Sequence, residues 1–292
     1  MITAKCPLRI SLVGGSTDLQ SFLEKYNNGS VVSFASNLYT YISINENKNV
    51  KDPSKIKNDI AREVISYFNL PPMTMIFNSD IPSTGTGLAA SSSYMVAAIA
   101  AALDFLGQDW SQSEICELAV KLERKFNPLT GYQDAYGCGI GGLKRFYFQK
   151  GGNVIIEFLR SRMFRDLSMS LVPTGVKRSS TKILSTIDSE KSLKLLQDVD
   201  NMVRCNSVEE VCKVINSAWE NKKKISESIL NNSISKLDEQ LKELYTGRKL
   251  LGAGGGGYFL VMCDRSLGLT VEPIDGTVPI QIDNKGVRVY AN

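Results

Sequence analysis

The stretch from Ile81 to Leu106 combines residue types that often bind phosphate groups. A Gly-rich start leads into three serines, Ser91 to Ser93, and then into an Ala-rich apolar segment. Serine is favoured at the N-cap of a helix, and an apolar segment without a polar face is typical of a buried helix. A Gly-rich loop that enters a helix N-terminus offers unpaired N–H groups and the positive end of the helix dipole to an anion. The pattern predicts a phosphate site, and the alternative interpretation is a Gly-rich turn with a serine cap.

The composition narrows the chemistry that is open to this chain. None of the 292 residues is histidine, so acid–base chemistry must use carboxylate, lysine, tyrosine or cysteine groups. The six cysteines form no Cys-x-x-Cys pair, which argues against a zinc site and against a disulfide framework. The net charge of +4 is small, and the longest basic run, Lys222–Lys224, is explained by a solvated helix face, so we expect neither a nucleic-acid nor a membrane partner. No signal peptide or membrane-spanning run is visible, so we expect a cytoplasmic protein.

Strands and helices mix without regular alternation, which favours an α+β fold over a doubly wound sheet. The predicted strands are Lys5–Val13, Val31–Ile44 (a long strand or a hairpin), Met73–Asn78, Leu143–Phe148, Val154–Leu159, Met169–Pro173, Tyr258–Cys263, Val278–Ile282 and Val287–Tyr290. The predicted helices begin near Leu19, lie within Lys51–Phe68, cover Tyr94–Leu106 and Ser111–Phe126 (with a Ser111/Glu114 capping box), and fill most of Ser179–Tyr245. A charged stretch from Arg160 to Asp166 suggests a boundary between domains 1–159 and 160–292.

The run Gly252–Gly257, reading GAGGGG, fits the literal spacing of a dinucleotide-binding loop. Such a loop needs a strand before it and a helix after it, and here the predicted order is reversed. Consecutive glycines cost backbone entropy, so they indicate a close approach of this backbone to a neighbouring loop or a ligand.

Three segments together resemble the three motifs of the GHMP kinases, a family of small-molecule kinases. They are a strand ending in GGSTD (Gly14–Asp18), the loop GTGLAASSS (Gly85–Ser93) and GAGGGG. GYQDAYGCGIGGL from Gly131 and TGVKRSS from Thr174 make the resemblance closest to the branch that phosphorylates heptose 7-phosphate at C1. The resemblance implies a two-domain α+β fold, with a ribosomal-protein-S5-like N-terminal domain, a ferredoxin-like C-terminal domain and a site in the cleft between them.

The resemblance also implies roles for individual residues. Asp134 matches the catalytic carboxylate and Arg9 the arginine beside it, while Ser91 and Glu123 match ligands of Mg²⁺. The implied ATP-binding residues are Gly85, Thr86, Gly87, Leu88, Ala89, Ala90, Ser91, Ser92 and Ser93. The implied substrate-binding residues are Gly14, Gly15, Ser16, Thr17, Asp18, Gly254 and Gly255, with Lys177 and Arg178 as cations for a sugar phosphate. The alternative interpretations are an exposed helix charge for Glu123, helix caps for Asp134 and Asp18, and solvated loop charges for Lys177 and Arg178.

The implied activity is ATP- and Mg²⁺-dependent phosphorylation of an anomeric hydroxyl, with D-glycero-D-manno-heptose 7-phosphate as acceptor and the 1,7-bisphosphate as product. Ala89 and Ala90 stand where the branch has Gly and Ser, and the segments near residues 45–57 and after Cys263 are short for the family, the second by about a helix. Two alternatives therefore stay open: a kinase of an unphosphorylated sugar such as fucose or arabinose, and a sugar or nucleotide sensor on a kinase fold. The oligomeric state and the nucleotide preference are not indicated by the sequence.

Overall fold

A computed structural model describes residues 1–47, 56–82, 85–160, 162–176, 183–271 and 274–291. Its strands are β1 (Ile2–Val13), β2 (Asn28–Glu46), β3 (Met73–Ser79), β4 (Leu143–Gln149), β5 (Val154–Phe158), β6 (Leu167–Pro173), β7 (Gly247–Leu250), β8 (Tyr258–Asp264), β9 (Val278–Pro279) and β10 (Arg288–Ala291). Its helices are α1 (Gln20–Tyr26), α2 (Asp59–Tyr67), α3 (Ala90–Phe105), α4 (Gln112–Glu123), α5 (Gln133–Gly139), α6 (Arg162–Arg165), α7 (Ser189–Ser192), α8 (Lys194–Arg204), α9 (Val208–Lys223) and α10 (Asn232–Leu244).

The first sheet is antiparallel, has the order β10-β1-β2-β4-β5, and is centred on β2, which is one continuous strand rather than a hairpin. The first part of β2 pairs with β4 and its second part with β3, while β1 runs along the other side. Residues 30–36 are buried throughout because both faces of the sheet are covered there. Further on, buried and less buried residues alternate, as expected for a strand with one exposed face.

Helix α3 forms the centre of the first core. Residues Val96 to Ala102 are fully buried, and their small side chains bring α3 close to β1, β2, α4 and α5. The predicted apolar helix is thus confirmed, although it begins at Ala90 and ends at Phe105. The predicted capping box of α4 is also confirmed, since Ser111 and Glu114 each bond the other's backbone.

The second sheet has the order β7-β8-β6-β9, and each adjacent pair is antiparallel. This is the strand order expected of a ferredoxin-like domain. Between β8 and β9, the described residues contain a single 3₁₀ turn, Arg265–Leu267, which agrees with the shortening inferred after Cys263. Strand β9 has only two residues, fewer than predicted from the sequence.

The end of the described chain returns to the first sheet. Strand β10 pairs with β1, and Asp283 accepts hydrogen bonds from Tyr39 and Arg288 close to that junction. The division at residue 160 stays a prediction, and β10 lies beyond it while belonging to the N-terminal sheet. None of the described helices is both long enough and apolar enough to cross a membrane.

Candidate active site

A cleft between the two sheets collects most of the residues singled out from the sequence. The N-terminal half lines it with Arg9, Ser11, Gly15, Ser16, Asp18, Leu19, Gly85–Gly87, Ala89–Ser92, Glu123, Asn127, Thr130, Gly131, Gln133 and Asp134. The C-terminal half contributes Leu184, Lys222, Gly252 and Ala253. Residues of one wall are separated from those of the other by fifty positions or more, so only the tertiary fold brings them together.

The loop before α3 turns its carbonyl groups toward the protein. The carbonyl of Gly87 accepts from Arg9 Nη1 at 2.6 Å, that of Leu88 from the Arg9 backbone N–H at 3.2 Å, and that of Ala89 from the Ser93 N–H at 2.9 Å. In a trans peptide the N–H points opposite to the carbonyl, so the amides of Ala89 and Ala90 point away from the groups that their peptide carbonyls bond. The loop lines the cleft and leads into the N-terminus of α3, the end of a helix that favours a phosphate.

The serines do not cap α3, contrary to the prediction. The N-cap is Ala89, which has the left-handed φ of 60° and makes no side-chain capping bond. Ser93 is fully buried and bonds Thr40 and the carbonyls of Cys6 and Pro7, while Ser92 bonds Glu123. Leu88 and Ser93 point into the protein, so these two predicted ATP-binding residues do not line the cleft.

Arg9 and Asp134 form an ion pair at the centre of the cleft. Arg9 donates to Asp134 Oδ1 from Nε at 3.0 Å and from Nη2 at 2.7 Å. The arginine side chain is 4% exposed and the aspartate side chain 32%. Asp134 lies in the first turn of the short helix α5 rather than at its N-cap, which is Tyr132. One arginine thus connects the carboxylate to the loop carbonyl of Gly87.

Glu123 is buried at the end of α4, so its interpretation as an exposed helix charge is wrong. Its Oε2 accepts from Ser92 Oγ at 2.6 Å, and burial raises its pKa to about 7 against the opposing effect of hydrogen bonds from Ser92 and Ser91. Asn127 lines the same cleft, and its Oδ1 atom is buried without a hydrogen-bond partner among the described residues. One carboxylate with hydroxyl and amide oxygens fits Mg²⁺, which takes phosphate and water oxygens for its other positions. No group of three or more Cys, Asp or Glu side chains in the described residues could hold a metal by itself.

Asp18 is buried beside the start of α5 and does not cap α1, whose N-cap is Leu19. It accepts from the backbone N–H of Gln133 at 3.0 Å and from Gln133 Nε2 at 2.9 Å. Burial, followed by the charge of Asp134, raises the pKa of Asp18 to about 6. The sequence did not single out Gln133, although it precedes Asp134 directly and links Asp18 to Ser11.

Two residues of the Gly14–Asp18 segment, Gly14 and Thr17, have a structural role. Thr17 is fully buried and donates to the carbonyls of Gly14 and Ser30. Gly14 has φ +84°, and a Cβ there would lie 2.1 Å from the carbonyl oxygen of Ser30. Gly15 and Ser16 line the cleft, whereas Gly14 and Thr17 hold the turn together.

The glycine run packs against the loop before α3, as its composition indicated. A Cβ on Gly257 would lie 2.3 Å from the carbonyl oxygen of Thr86, so only glycine permits this approach. Gly254 and Gly255 face Ile229 and Ile183 and do not line the cleft. The cleft residues of this segment are Gly252 and Ala253 instead.

Lys222 is a cleft residue that the sequence did not reveal. The interpretation of Lys222–Lys224 as a solvated face is wrong for its first member, which is 5% exposed and donates to the carbonyl of Gly252. The periodicity of α9 could have indicated this, because Lys222 falls on the face of Ala218 and Trp219. Lys177 and Arg178 lie outside the described residues.

Two buried lysines stabilise the backbone that carries residues of the cleft. Lys144 donates to the carbonyls of Gly137, Ile140 and Gly142, at the C-terminal end of α5, and burial lowers its pKa to about 7. Lys249 of β7 donates to the carbonyls of Ser11 and Leu12 at 2.9 and 2.7 Å, and burial lowers its pKa to about 7 as well. Both side chains fix backbone next to the carboxylates of the cleft.

Comparison with known proteins agrees with this geometry. Residues 55–142 match the family model described as the GHMP kinases N terminal domain. The whole length of the chain aligns with a crystal structure of a D-glycero-D-manno-heptose 1-phosphate kinase from Bacteroides thetaiotaomicron, at a TM-score of 0.72 and 21% identity over 99% of that chain, which confirms the GHMP kinase fold.

Two curated relatives have names that specify a substrate. A D-glycero-alpha-D-manno-heptose 7-phosphate kinase from Campylobacter jejuni is 27% identical over 90% of this chain and 89% of its own length. An L-fucokinase/L-fucose-1-P guanylyltransferase from Bacteroides fragilis is 24% identical over 94% of this chain, but the chain spans only 36% of that longer protein. The comparisons agree with the predicted resemblance to GHMP kinases and with the predicted enzyme class, and the structural likeness confirms the α+β fold.

Proposed function

We propose that the protein is an ATP-dependent sugar kinase that phosphorylates the anomeric hydroxyl of a sugar phosphate, with D-glycero-D-manno-heptose 7-phosphate as the leading candidate. The observation that carries the proposal is the contact of Arg9 with both Asp134 and the carbonyl of Gly87. A carboxylate suited to accept a proton is thereby held next to a loop suited to bind phosphates.

In the proposed reaction, the sugar hydroxyl oxygen forms a bond to the γ-phosphorus of ATP. The bond from that phosphorus to the bridging oxygen breaks, ADP leaves, and the hydroxyl proton passes to Asp134. Arg9 orients the carboxylate through Oδ1 and leaves Oδ2 for the acceptor. Such transfer depends mainly on positioning and on neutralising charge, which ion pairs and backbone amides supply.

Ser91 and Glu123 would hold Mg²⁺, with Ser92 and Asn127 beside them. When bound, the ion neutralises negative charge on the nucleotide phosphates. Gly85–Gly87 and Ala89–Ser92 would bind these phosphates, and Gly15, Ser16 and Asp18 would contact the sugar. Lys177 and Arg178 remain proposed cations for the phosphate of the acceptor, and Gly254 and Gly255 would act through packing.

The second candidate is a kinase of an unphosphorylated sugar, and the similarity to the fucokinase relative over 94% of this chain favours it. The sensor alternative finds less support, because the Arg9–Asp134 pair and the buried Glu123 keep the groups that phosphoryl transfer uses.

The test is ATP turnover by the purified chain with Mg²⁺ and a panel of sugars and sugar 7-, 6- and 1-phosphates, with the product located by phosphorus NMR. We expect turnover with a phosphorylated heptose and a new phosphate signal coupled to the anomeric proton. Turnover with fucose or arabinose and none with the heptose phosphate would favour the second candidate. Binding of ATP without turnover of any acceptor would favour the sensor.

A further inference from the structure

Buried polar side-chain atoms without a hydrogen-bond partner are few in the described part of the chain. Six such atoms are present there, and two of them, Asn127 Oδ1 and Thr130 Oγ1, belong to residues that line the cleft. Leaving a buried polar atom unsatisfied costs free energy, so each such atom in a folded protein calls for an explanation. In a cleft, a bound ligand can supply the missing partner.

The two residues have different neighbours. The backbone N–H of Asn127 donates to the carbonyl of Glu123 at 2.8 Å, so Asn127 lies beside a proposed magnesium ligand. Thr130 directly precedes Gly131, where a Cβ would lie 2.0 Å from Asp18 Oδ2. The segment that carries Thr130 therefore closes on Asp18, the carboxylate that is proposed to contact the sugar.

The backbone of Thr130 is fixed by other groups of the protein. Its N–H donates to the carbonyl of Asn127 at 3.0 Å, and its carbonyl accepts from Arg124 Nε at 3.1 Å. Arg124 in turn lies 4.4 Å from the centroid of the Tyr132 ring and donates to the tyrosine hydroxyl. Thr130 is 6% exposed, so its hydroxyl is held in place before any ligand binds.

The charges of the cleft favour a ligand hydroxyl over a phosphate as the partner of Thr130. Three carboxylates line the cleft, those of Asp18, Glu123 and Asp134, and they repel phosphate oxygens. A threonine hydroxyl has one donor and accepts as well, and a carboxylate has room for several donors. A sugar hydroxyl can accept from Thr130 and donate to a carboxylate at the same time, which an ionised phosphate oxygen cannot do.

We propose that Thr130 binds a hydroxyl group of the acceptor sugar and so contributes to the choice of acceptor. This inference rests on the proposed function for the identity of the ligand. The ribose of ATP is a second source of sugar hydroxyls. The acceptor is favoured because Thr130 lies four residues before Asp134, in a segment that closes on Asp18.

The test uses the full chain and two probes, D-glycero-D-manno-heptose 7-phosphate and L-fucose, with binding measured by ligand-observed NMR titration without ATP. Thr130→Val replaces the hydroxyl with a methyl group of similar size, and Thr130→Ser keeps the hydroxyl. Thr277→Val is the matched control, because Thr277 Oγ1 is also buried without a partner in the described chain but does not line the cleft. Thermal unfolding establishes that each variant is folded, and Thr130→Ala replaces Thr130→Val if that variant is not.

We expect Thr130→Val to weaken binding of the preferred probe by about three- to tenfold, the loss of one neutral hydrogen bond. Thr130→Ser and Thr277→Val should leave the affinity within about twofold. The melting temperatures of both valine variants should stay the same or rise, because each variant loses a buried hydroxyl that the described part of the free protein leaves unsatisfied. In turnover, Thr130→Val should raise KM for the acceptor and leave KM for ATP unchanged.

Equal sugar affinity in folded Thr130→Val and in the unmodified chain overturns the inference, and so does binding of neither probe by the unmodified chain. A raised KM for ATP alone also overturns it, because that result assigns the hydroxyl to the ribose. These results leave the proposed function intact if the unmodified chain phosphorylates a sugar. If Thr130→Val weakens sugar binding but the unmodified chain phosphorylates no acceptor, the inference stands and the proposed function fails.

Discussion

Two aspartate–arginine pairs with a buried arginine, one in each half of the molecule, use the same groups for different functions. In the N-terminal half, Arg9 contacts only Oδ1 of Asp134, and the aspartate side chain is 32% exposed to the cleft. In the C-terminal half, Asp238 is 3% exposed and accepts from Arg248 at 2.7 Å and Trp219 at 2.9 Å on Oδ1, and from Lys223 at 3.1 Å on Oδ2.

The difference lies in how completely each carboxylate is satisfied. Asp238 has donors on both oxygens and is closed off from solvent, which makes it a structural hub that joins α9, α10 and β7. Asp134 is fixed on one oxygen, and its other oxygen accepts no hydrogen bond from the part of the chain that the structure describes, which is the arrangement of a group that must exchange a proton or a ligand. The role of a carboxylate in such an ion pair can therefore be inferred only when the exposure of both of its oxygens is known.

The largest expected effect comes from Asp134→Asn. This change keeps the shape of the side chain but removes its ability to accept a proton, so kcat should fall by about a hundredfold or more. The free energy of unfolding should change much less, because the side chain is partly exposed. Turnover within threefold of the unmodified chain, in a folded variant, would show that the open oxygen has no catalytic part.

Asp238→Asn should lower the stability of the chain and leave kcat nearly unchanged. It removes the buried carboxylate from Arg248 and Lys223 and leaves them only the half-exposed Glu220, so we expect a loss of about 3 kcal/mol of stability, the low end for a broken buried pair. Urea unfolding would measure the loss, while kcat per folded molecule should stay near its original value. A stable variant with reduced kcat would contradict the separation of the two pairs.

Glu123 tests a third case, a buried carboxylate bonded to a serine hydroxyl instead of an arginine. Its pKa rises from 4.5 in the unfolded chain to about 7 in the fold, so the folded state favours the protonated form. The resulting contribution to stability is present below pH 4.5 and is lost as the pH rises to about 7. In Glu123→Gln, the fall in the free energy of unfolding between pH 5 and pH 8 should shrink by on the order of 2 kcal/mol.

The control for that measurement is Glu117→Gln, which removes an exposed carboxylate from the same helix. It should leave the pH dependence as it is. Asp18, with a pKa raised to about 6, contributes in the same direction and remains in both variants. Identical pH profiles for the two glutamine variants would mean that burial does not raise the pKa of Glu123.

The smallest expected effect concerns the backbone of the phosphate loop. Ala89 has φ +60°, a conformation that costs a residue with a Cβ about 1 kcal/mol. Glycine avoids this cost but has more conformational entropy to lose on folding, so Ala89→Gly should stabilise the chain by a net of about 0.5 kcal/mol. Ala90→Gly, one residue on and inside α3, should destabilise it by about 0.5–1 kcal/mol. Denaturant midpoints of the two variants should move in opposite directions, and a shift of both the same way would contradict the strain at Ala89.

The sequence predicted what depends on local pattern and on the order of motifs. The strand before Gly14, the apolar helix α3, the capping box of α4 and the meeting of Arg9 with Asp134 were all expected. It failed where a side chain's surroundings depend on how distant elements pack. Lys222 is buried because α9 docks beside Gly252, and the serines do not cap α3 because the helix begins before them, at Ala90.

The pairing of β10 with β1 has a mechanical consequence. The described chain leaves the first sheet after β5, builds the second sheet, and comes back to lie beside the strand that carries Arg9. A domain that is connected to its neighbour at both of its ends moves less freely than a domain that is connected at one end. Any movement of the second sheet relative to the first is therefore constrained by two chain connections rather than one.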